Sequence, residues 1–146
     1  MGENKEFVVL LHGLSRTSRS MRPIKNALEK NGYSTFNVNY PSRKKSIEEL
    51  SEFVLEKINQ NFADHPKNSL HFVTHSMGGI ILRQIMKLSP ISNLARVVML
   101  GPPNQGSEII DRLGPFKLIP LINGPASLLL GTSTDGFILS LGPVHF

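Results

Sequence analysis

Short apolar runs alternate with longer amphipathic segments along the 146-residue chain. Runs of consecutive apolar residues, such as Phe7-Val8-Val9-Leu10-Leu11, are typical of strands that helices cover on both faces. The amphipathic segments repeat their apolar residues every three or four positions, which is typical of helices with one buried face. The alternation predicts an α/β fold, a three-layer α/β/α arrangement with a mostly parallel sheet, and we expect one such domain over residues 1–146.

The pattern predicts four strands and three helices before residue 101. We expect strands at 7–11, 34–40, 70–74 and 95–100, and helices at 20–31, 46–62 and 77–88. The second helix begins with Ser46-Ile47-Glu48-Glu49, a capping box in which the serine and glutamate side chains each satisfy a free backbone N–H group. Beyond residue 100 the pattern weakens to a loop, a short helix at 107–113 and a short strand at 136–139.

Composition narrows the chemistry that the chain can perform. The sequence has no cysteine, which excludes disulfides, thiolate metal sites and a cysteine nucleophile. It contains no HExxH, GxGxxG or GxxxxGK[ST] motif, so we expect neither a bound metal nor a cofactor. Because no signal-peptide core or long apolar run is present, we expect a cytoplasmic protein.

The formal net charge is +5, and eleven of the sixteen basic residues precede Ser76. The densest basic group consists of Arg16, Arg19, Arg22 and Lys25. A nucleic-acid reader would usually interleave such a group with aromatic residues, which are missing here, so we expect no nucleic-acid partner. Two interpretations stay open: a solvated face, or contact with an anionic substrate or the surface of a membrane as a peripheral protein.

One motif carries a candidate nucleophile. The segment Thr74-His75-Ser76-Met77-Gly78-Gly79 lies between an apolar strand and an apolar helix, the setting of a nucleophile elbow. The elbow lifts the serine oxygen above the sheet and needs small residues two positions before and after it. Gly78 meets that need fully and Thr74 only in part. The alternative is structural: Ser76 would cap the helix, and the glycines would allow close packing.

A second motif directly follows the first strand. His12-Gly13-Leu14 lies where acyl-transfer enzymes of this build place the loop that stabilises the oxyanion. In that arrangement the backbone N–H groups of Leu14 and Met77 would converge on the developing negative charge.

Together the two motifs resemble those of the α/β-hydrolase superfamily, and within it the lipase-like serine hydrolases whose loops read HGL and HSMGG. The similarity covers about residues 7–107 and includes the loop Gly101-Pro102-Pro103-Asn104-Gln105-Gly106-Ser107. It implies hydrolysis of carboxylic esters, with small-molecule or lipid esters as substrates. It further implies Ser76 as the nucleophile and the Leu14 and Met77 amides as the oxyanion hole, with His12 shaping its loop. Acyltransferases and thioesterases share these loops, so both activities stay open.

The resemblance leaves the acid and the base of the catalytic triad unassigned. The order in the superfamily is serine, then aspartate or glutamate, then histidine, on loops after two further strands. After Ser76 the chain has Glu108, Asp111, Asp135 and one histidine, His145. Either Asp135 and His145 complete the triad, or the chain is truncated after the strand that follows the elbow. A truncated chain would be inactive or depend on a partner, and its exposed sheet edge would be an association site.

Overall fold

The computed structural model describes residues 6–65, 67–103 and Leu141. The strands are β1 (Phe7–Leu11), β2 (Ser34–Val38), β3 (Leu70–His75) and β4 (Leu94–Leu100). The α-helices are α1 (Arg22–Lys30), α2 (Ile47–Phe62) and α3 (Met77–Leu88), and a 3-10 turn, Ser18–Met21, precedes α1. The predicted α/β fold is confirmed, whereas the predicted helix at 107–113 and strand at 136–139 lie outside the described residues.

The four strands form one parallel sheet in the order β2-β1-β3-β4. Leu11 at the end of β1 is opposite Val38 of β2 and Thr74 of β3. His75 at the end of β3 is opposite Leu100 of β4. The carboxyl ends of the strands therefore meet at one edge, where ligands of open parallel sheets bind, and the two candidate loops follow neighbouring strands at that edge.

Strand β1 is buried on both faces of the sheet. Its residues alternate between two hydrophobic clusters, because successive side chains of a strand point to opposite faces. Val9 and Leu11 belong to the larger cluster with α2 and α3, and Val8 and Leu10 to a smaller one with Met21 beside α1. This two-sided burial explains the unbroken apolar run and completes the three layers.

Several predicted boundaries differ from the observed ones by one or two residues. Helix α1 begins at Arg22 rather than at residue 20, because the 3-10 turn occupies the preceding positions and Pro23 fits the first turn of a helix. Strand β2 ends at Val38, because the polar groups of Asn39 and Tyr40 bond to the loop after β1 instead of continuing the ladder. Strand β4 begins at Leu94, one residue before the predicted start.

The predicted capping box of α2 is confirmed. The Ser46 hydroxyl accepts from the Glu49 backbone N–H at 3.3 Å, and the Glu49 carboxylate accepts from the Ser46 N–H at 2.8 Å.

Strand β4 forms one edge of the described sheet. Its side chains Val98 and Leu100 are 51% and 38% exposed. Among the helices that the structure describes, none has the length and apolar character needed to cross a bilayer.

Candidate active site

Ser76 occupies a strained turn between β3 and α3. Its φ and ψ angles are 51° and −120°, a region that residues with a side chain rarely adopt and that costs about 1–3 kcal/mol. The Ser76 N–H donates to the Leu100 carbonyl at 2.9 Å, and the Gly79 N–H donates to the Ser76 carbonyl at 3.0 Å. The Ser76 side chain makes no capping bond to α3, so the interpretation of Ser76 as a side-chain cap is wrong.

Small residues around Ser76 let α3 begin directly on the sheet. A Cβ atom at Gly78 would lie 2.6 Å from the Leu11 carbonyl oxygen, far inside normal contact. On the other side, Thr74 is fully buried, and its hydroxyl would lie 3.3 Å from a Cβ at Gly79. Threonine therefore fits where the elbow pattern usually has glycine.

The loop after β1 lies against the elbow. A Cβ atom at Gly13 would lie 3.3 Å from the Ser76 Cβ and 3.0 Å from the His75 Nδ1. The loop turns sharply after Gly13, since the Arg16 N–H donates to the Gly13 carbonyl at 3.3 Å and Ser15 has a φ of 56°. The structure thus brings Gly13 next to Ser76. Leu14 packs partly buried against the core, and Met77 is fully buried.

His12 is a buried part of this loop. Its Nδ1 lies 2.9 Å from the Gly13 carbonyl, to which it donates, and its Nε2 accepts from the Tyr40 N–H at 3.4 Å. These bonds assign the neutral ring with the proton on Nδ1. Burial lowers the pKa of His12 below its ordinary value of 6.5, and the two backbone hydrogen bonds only partly oppose that effect. With both nitrogens engaged, His12 holds the loop and has no free position for a substrate proton.

Tyr40 fixes His12 from the segment that follows β2. Its ring stacks on the His12 ring with centroids 3.8 Å apart and planes inclined by 12°, and its hydroxyl donates to the His12 carbonyl. Tyr40 is 3% exposed, and burial raises the pKa of its hydroxyl, which keeps the group a proton donor. Sequence reasoning missed this residue; the available signal was a tyrosine at the end of the predicted second strand.

The two candidates for the acid and the base of the triad are not among the described residues. Asp135 and His145 lie outside them. Of the other described histidines, His71 lies within β3 beside Glu6 at 3.5 Å, and His65 stacks on Phe7. His75 is exposed beside Gly13. Within residues 6–65 and 67–103, no group of three His, Cys, Asp or Glu side chains could hold a metal ion.

Comparison with protein families gives one match that spans most of the chain. The sequence profile of the family described as palmitoyl protein thioesterase matches residues 7–133. A search among curated protein sequences gave no significant match.

Solved structures share the fold. The phospholipase PlaB from Legionella pneumophila is 20% identical with a TM-score of 0.75, over 94% of this chain and 35% of that one. The mature lipase BlEst2 from Bacillus licheniformis is 24% identical with a TM-score of 0.71, over 95% and 58%. The monoacylglycerol lipase from Paleococcus ferrophilus is 18% identical with a TM-score of 0.62, over 92% and 66%. This chain thus spans about a third of the phospholipase and under two thirds of the Bacillus lipase.

Proposed function

Because the chain belongs to the palmitoyl protein thioesterase family and has the fold of lipase- and esterase-type α/β hydrolases, we propose that it is a serine hydrolase of acyl esters. The observation that carries this proposal is the conformation of Ser76. It is a serine at positive φ on a strand-to-helix turn, with a side chain that does not cap the helix. Strain of this kind persists where the surrounding structure imposes it, and it concentrates at functional sites.

In the proposed reaction, the Ser76 hydroxyl attacks the carbonyl carbon of the substrate. The carbonyl oxygen becomes an oxyanion that the backbone N–H groups of Leu14 and Met77 stabilise. A histidine takes the serine proton and gives it to the leaving group, and water then hydrolyses the acyl-enzyme. Each oxyanion donor is worth about 2.7–4 kcal/mol where one has been removed from comparable sites.

The loop that carries Leu14 is held in place before substrate binds. The Tyr40 hydroxyl holds the His12 carbonyl, and the His12 ring holds the Gly13 carbonyl. Donors that do not reorganise during the reaction are the most effective in stabilising charge. We assign His12, Gly13 and Tyr40 to this positioning role, Gly78 to close packing in the elbow, and His75 to the elbow itself.

A thioester substrate is the second candidate, and the description of the matching family favours it. A thiol leaves more readily as an anion than an alcohol does, since its pKa is about 8.5. The chemistry up to the acyl-enzyme is otherwise shared. Rates on a palmitoyl thioester and on the oxygen ester of the same acyl chain would separate the two. The lipase and phospholipase names of the structural neighbours support acyl lipids as the substrate class.

The decisive test is labelling with a fluorophosphonate, measured by intact mass. We expect one adduct on the purified chain, none on Ser76→Ala, and an unchanged adduct on the matched control Ser92→Ala, an exposed serine before β4. Circular dichroism confirms folding of each variant. With an adduct in hand, labelling of His145→Ala and Asp135→Asn tests these residues as base and acid.

No adduct on a folded wild-type chain would contradict the proposal. The elbow would then be present without a base, and the chain would be an inactive or partner-dependent hydrolase domain.

A further inference from the structure

A cleft of about 460 Å³ opens beside the loop that follows β1. Three cationic residues line it, Arg16 from that loop and Arg43 and Lys44 from the segment after β2. Its apolar wall includes Phe53 of α2. None of the described residues that line the cleft is acidic.

These three cations lack a carboxylate partner among the described residues. Among the described residues, ion pairs join Lys25 to Glu29 at 2.7 Å and Lys45 to Glu49 at 3.9 Å. His71 also lies 3.5 Å from Glu6. Lys45, the sequence neighbour of Lys44, is thus paired with a carboxylate, while the three cations of the cleft are not. Like charges gathered in one concavity create a positive potential that attracts anions.

The walls of the cleft are tied together by hydrogen bonds. The Ser18 N–H donates to the Asn39 side chain at 3.1 Å, and the Asn37 side chain donates to the Ser18 carbonyl at 2.8 Å. The buried Ser42 hydroxyl lies 3.5 Å from the Arg16 carbonyl, to which it donates. The backbone that carries the cations is therefore anchored on both sides.

The cleft is also close to the candidate nucleophile. The Arg16 N–H bonds to the Gly13 carbonyl, and Gly13 lies against Ser76. Tyr40, which holds the loop after β1, forms part of the cleft wall. A substrate whose carbonyl lies at Ser76 could therefore extend a second group past this loop into the cleft.

We propose that the cleft binds a phosphate group of the substrate, so that the chain prefers acyl esters or thioesters with a phosphate elsewhere in the molecule. This inference rests on the proposed function. Three cations match the one to two negative charges of a phosphate, and the arginine guanidinium donates two parallel hydrogen bonds to phosphate oxygens. The Phe53 ring offers apolar contact to the carbon atoms next to the phosphate.

Two soluble substrates that differ only in the phosphate provide the test: 1-hexanoylglycerol 3-phosphate and 1-hexanoylglycerol. The measured quantity is the ratio of their kcat/KM values. We expect Arg43→Gln/Lys44→Gln to lower this ratio about tenfold, as for two exposed charge pairs. In the matched control Arg22→Gln/Lys30→Gln, which removes two charges from α1 outside the cleft, we expect the wild-type ratio. An equal ratio in the two double variants would overturn the proposal.

Calorimetric titration of the full chain with glycerol 3-phosphate, inorganic phosphate and glycerol tests the site without catalysis. We expect glycerol 3-phosphate to bind, to lose affinity in the cleft variant and to keep it in the control. If no fluorophosphonate adduct forms on the folded chain, the proposed function fails, while cleft-dependent binding of glycerol 3-phosphate would still support the phosphate site. Binding of inorganic phosphate as tight as that of glycerol 3-phosphate, with an unchanged ester ratio, would indicate a site for the free ion and overturn the role in substrate choice.

Discussion

Replacing Gly78 by alanine tests the close contact on which the elbow depends. A Cβ atom there would lie 2.6 Å from the Leu11 carbonyl oxygen and 2.9 Å from the Leu11 Cβ. Leu11 is fully buried and pairs with Val38 on one side and Thr74 on the other. Because two neighbouring strands hold this backbone, it cannot move away alone, and the strain would pass to the first turn of α3.

The expected loss of stability is the difference between two opposing effects. Alanine is the better helix former by about 0.8–1.0 kcal/mol. Overpacking a filled core costs about 1–3 kcal/mol, and contact with a fixed backbone atom belongs at the upper end of that range. We therefore expect Gly78→Ala to lower the free energy of unfolding by about 1–2 kcal/mol, or about 2–8 °C in Tm for a chain of this size.

Gly79→Ala is the matched control for this prediction. It adds the same methyl group to the next residue of α3 and brings the same gain in helix propensity. Its nearest neighbours are side-chain atoms, the Pro102 Cβ at 3.1 Å and the Met99 Sδ at 3.3 Å. Because these side chains yield more readily than a backbone carbonyl held by two strands, urea unfolding followed by circular dichroism should show a smaller loss for Gly79→Ala than for Gly78→Ala, by about 1 kcal/mol. If Gly78→Ala proves as stable as Gly79→Ala, the reasoning about the elbow contact is wrong.

Three further predictions concern the loop after β1 and helix α2. Tyr40→Phe removes the buried donor to the His12 carbonyl and should cost about 1–3 kcal/mol in urea unfolding and slow fluorophosphonate labelling, whereas equal labelling would contradict the positioning role. Burial lowers the pKa of His12, so the folded chain binds fewer protons than the unfolded chain as the pH falls below about 6.5. The neutral, buried His12 therefore contributes its full stability above about pH 6.5, and this contribution is lost as the pH falls toward the lowered pKa. An NMR titration in which the His12 ring protonates at pH 6.5 or above would refute the lowered pKa. Ser46→Ala should cost about 1 kcal/mol in urea unfolding because the capping box is lost, and Ser46→Asp should retain most of the stability, an outcome that equal losses in both variants would contradict.

The parts of the fold that depend on local pattern could be predicted from the sequence. The five apolar residues of β1 and the capping box before α2 fix those elements at the predicted residues, because their signals lie within a few positions of one another. The order of the strands in the sheet could not be predicted from such local signals. It depends on which faces the helices cover.

The contacts that hold the candidate site could not be predicted from local sequence patterns, because they join residues far apart in the chain. The bond from Tyr40 to His12 joins residues 28 positions apart, and it ends β2 two residues before the predicted end. The grouping of the basic residues in the folded chain also differs from their grouping along the sequence. Arg16 shares a cleft with Arg43 and Lys44 rather than with its sequence neighbour Arg19.

The two described residues with a side chain at positive φ, Ser15 and Ser76, lie in the loops after β1 and β3. These strands are neighbours, so both strained turns lie at the same edge of the sheet. A chain that only had to fold would place glycine at such positions, since glycine adopts positive φ without a steric penalty. At Ser76 the steric strain of a positive φ is present, although the serine hydroxyl does not cap the helix. Departures from local rules are expected where function requires them, and here they converge beside Gly13, where the loop after β1 touches the elbow.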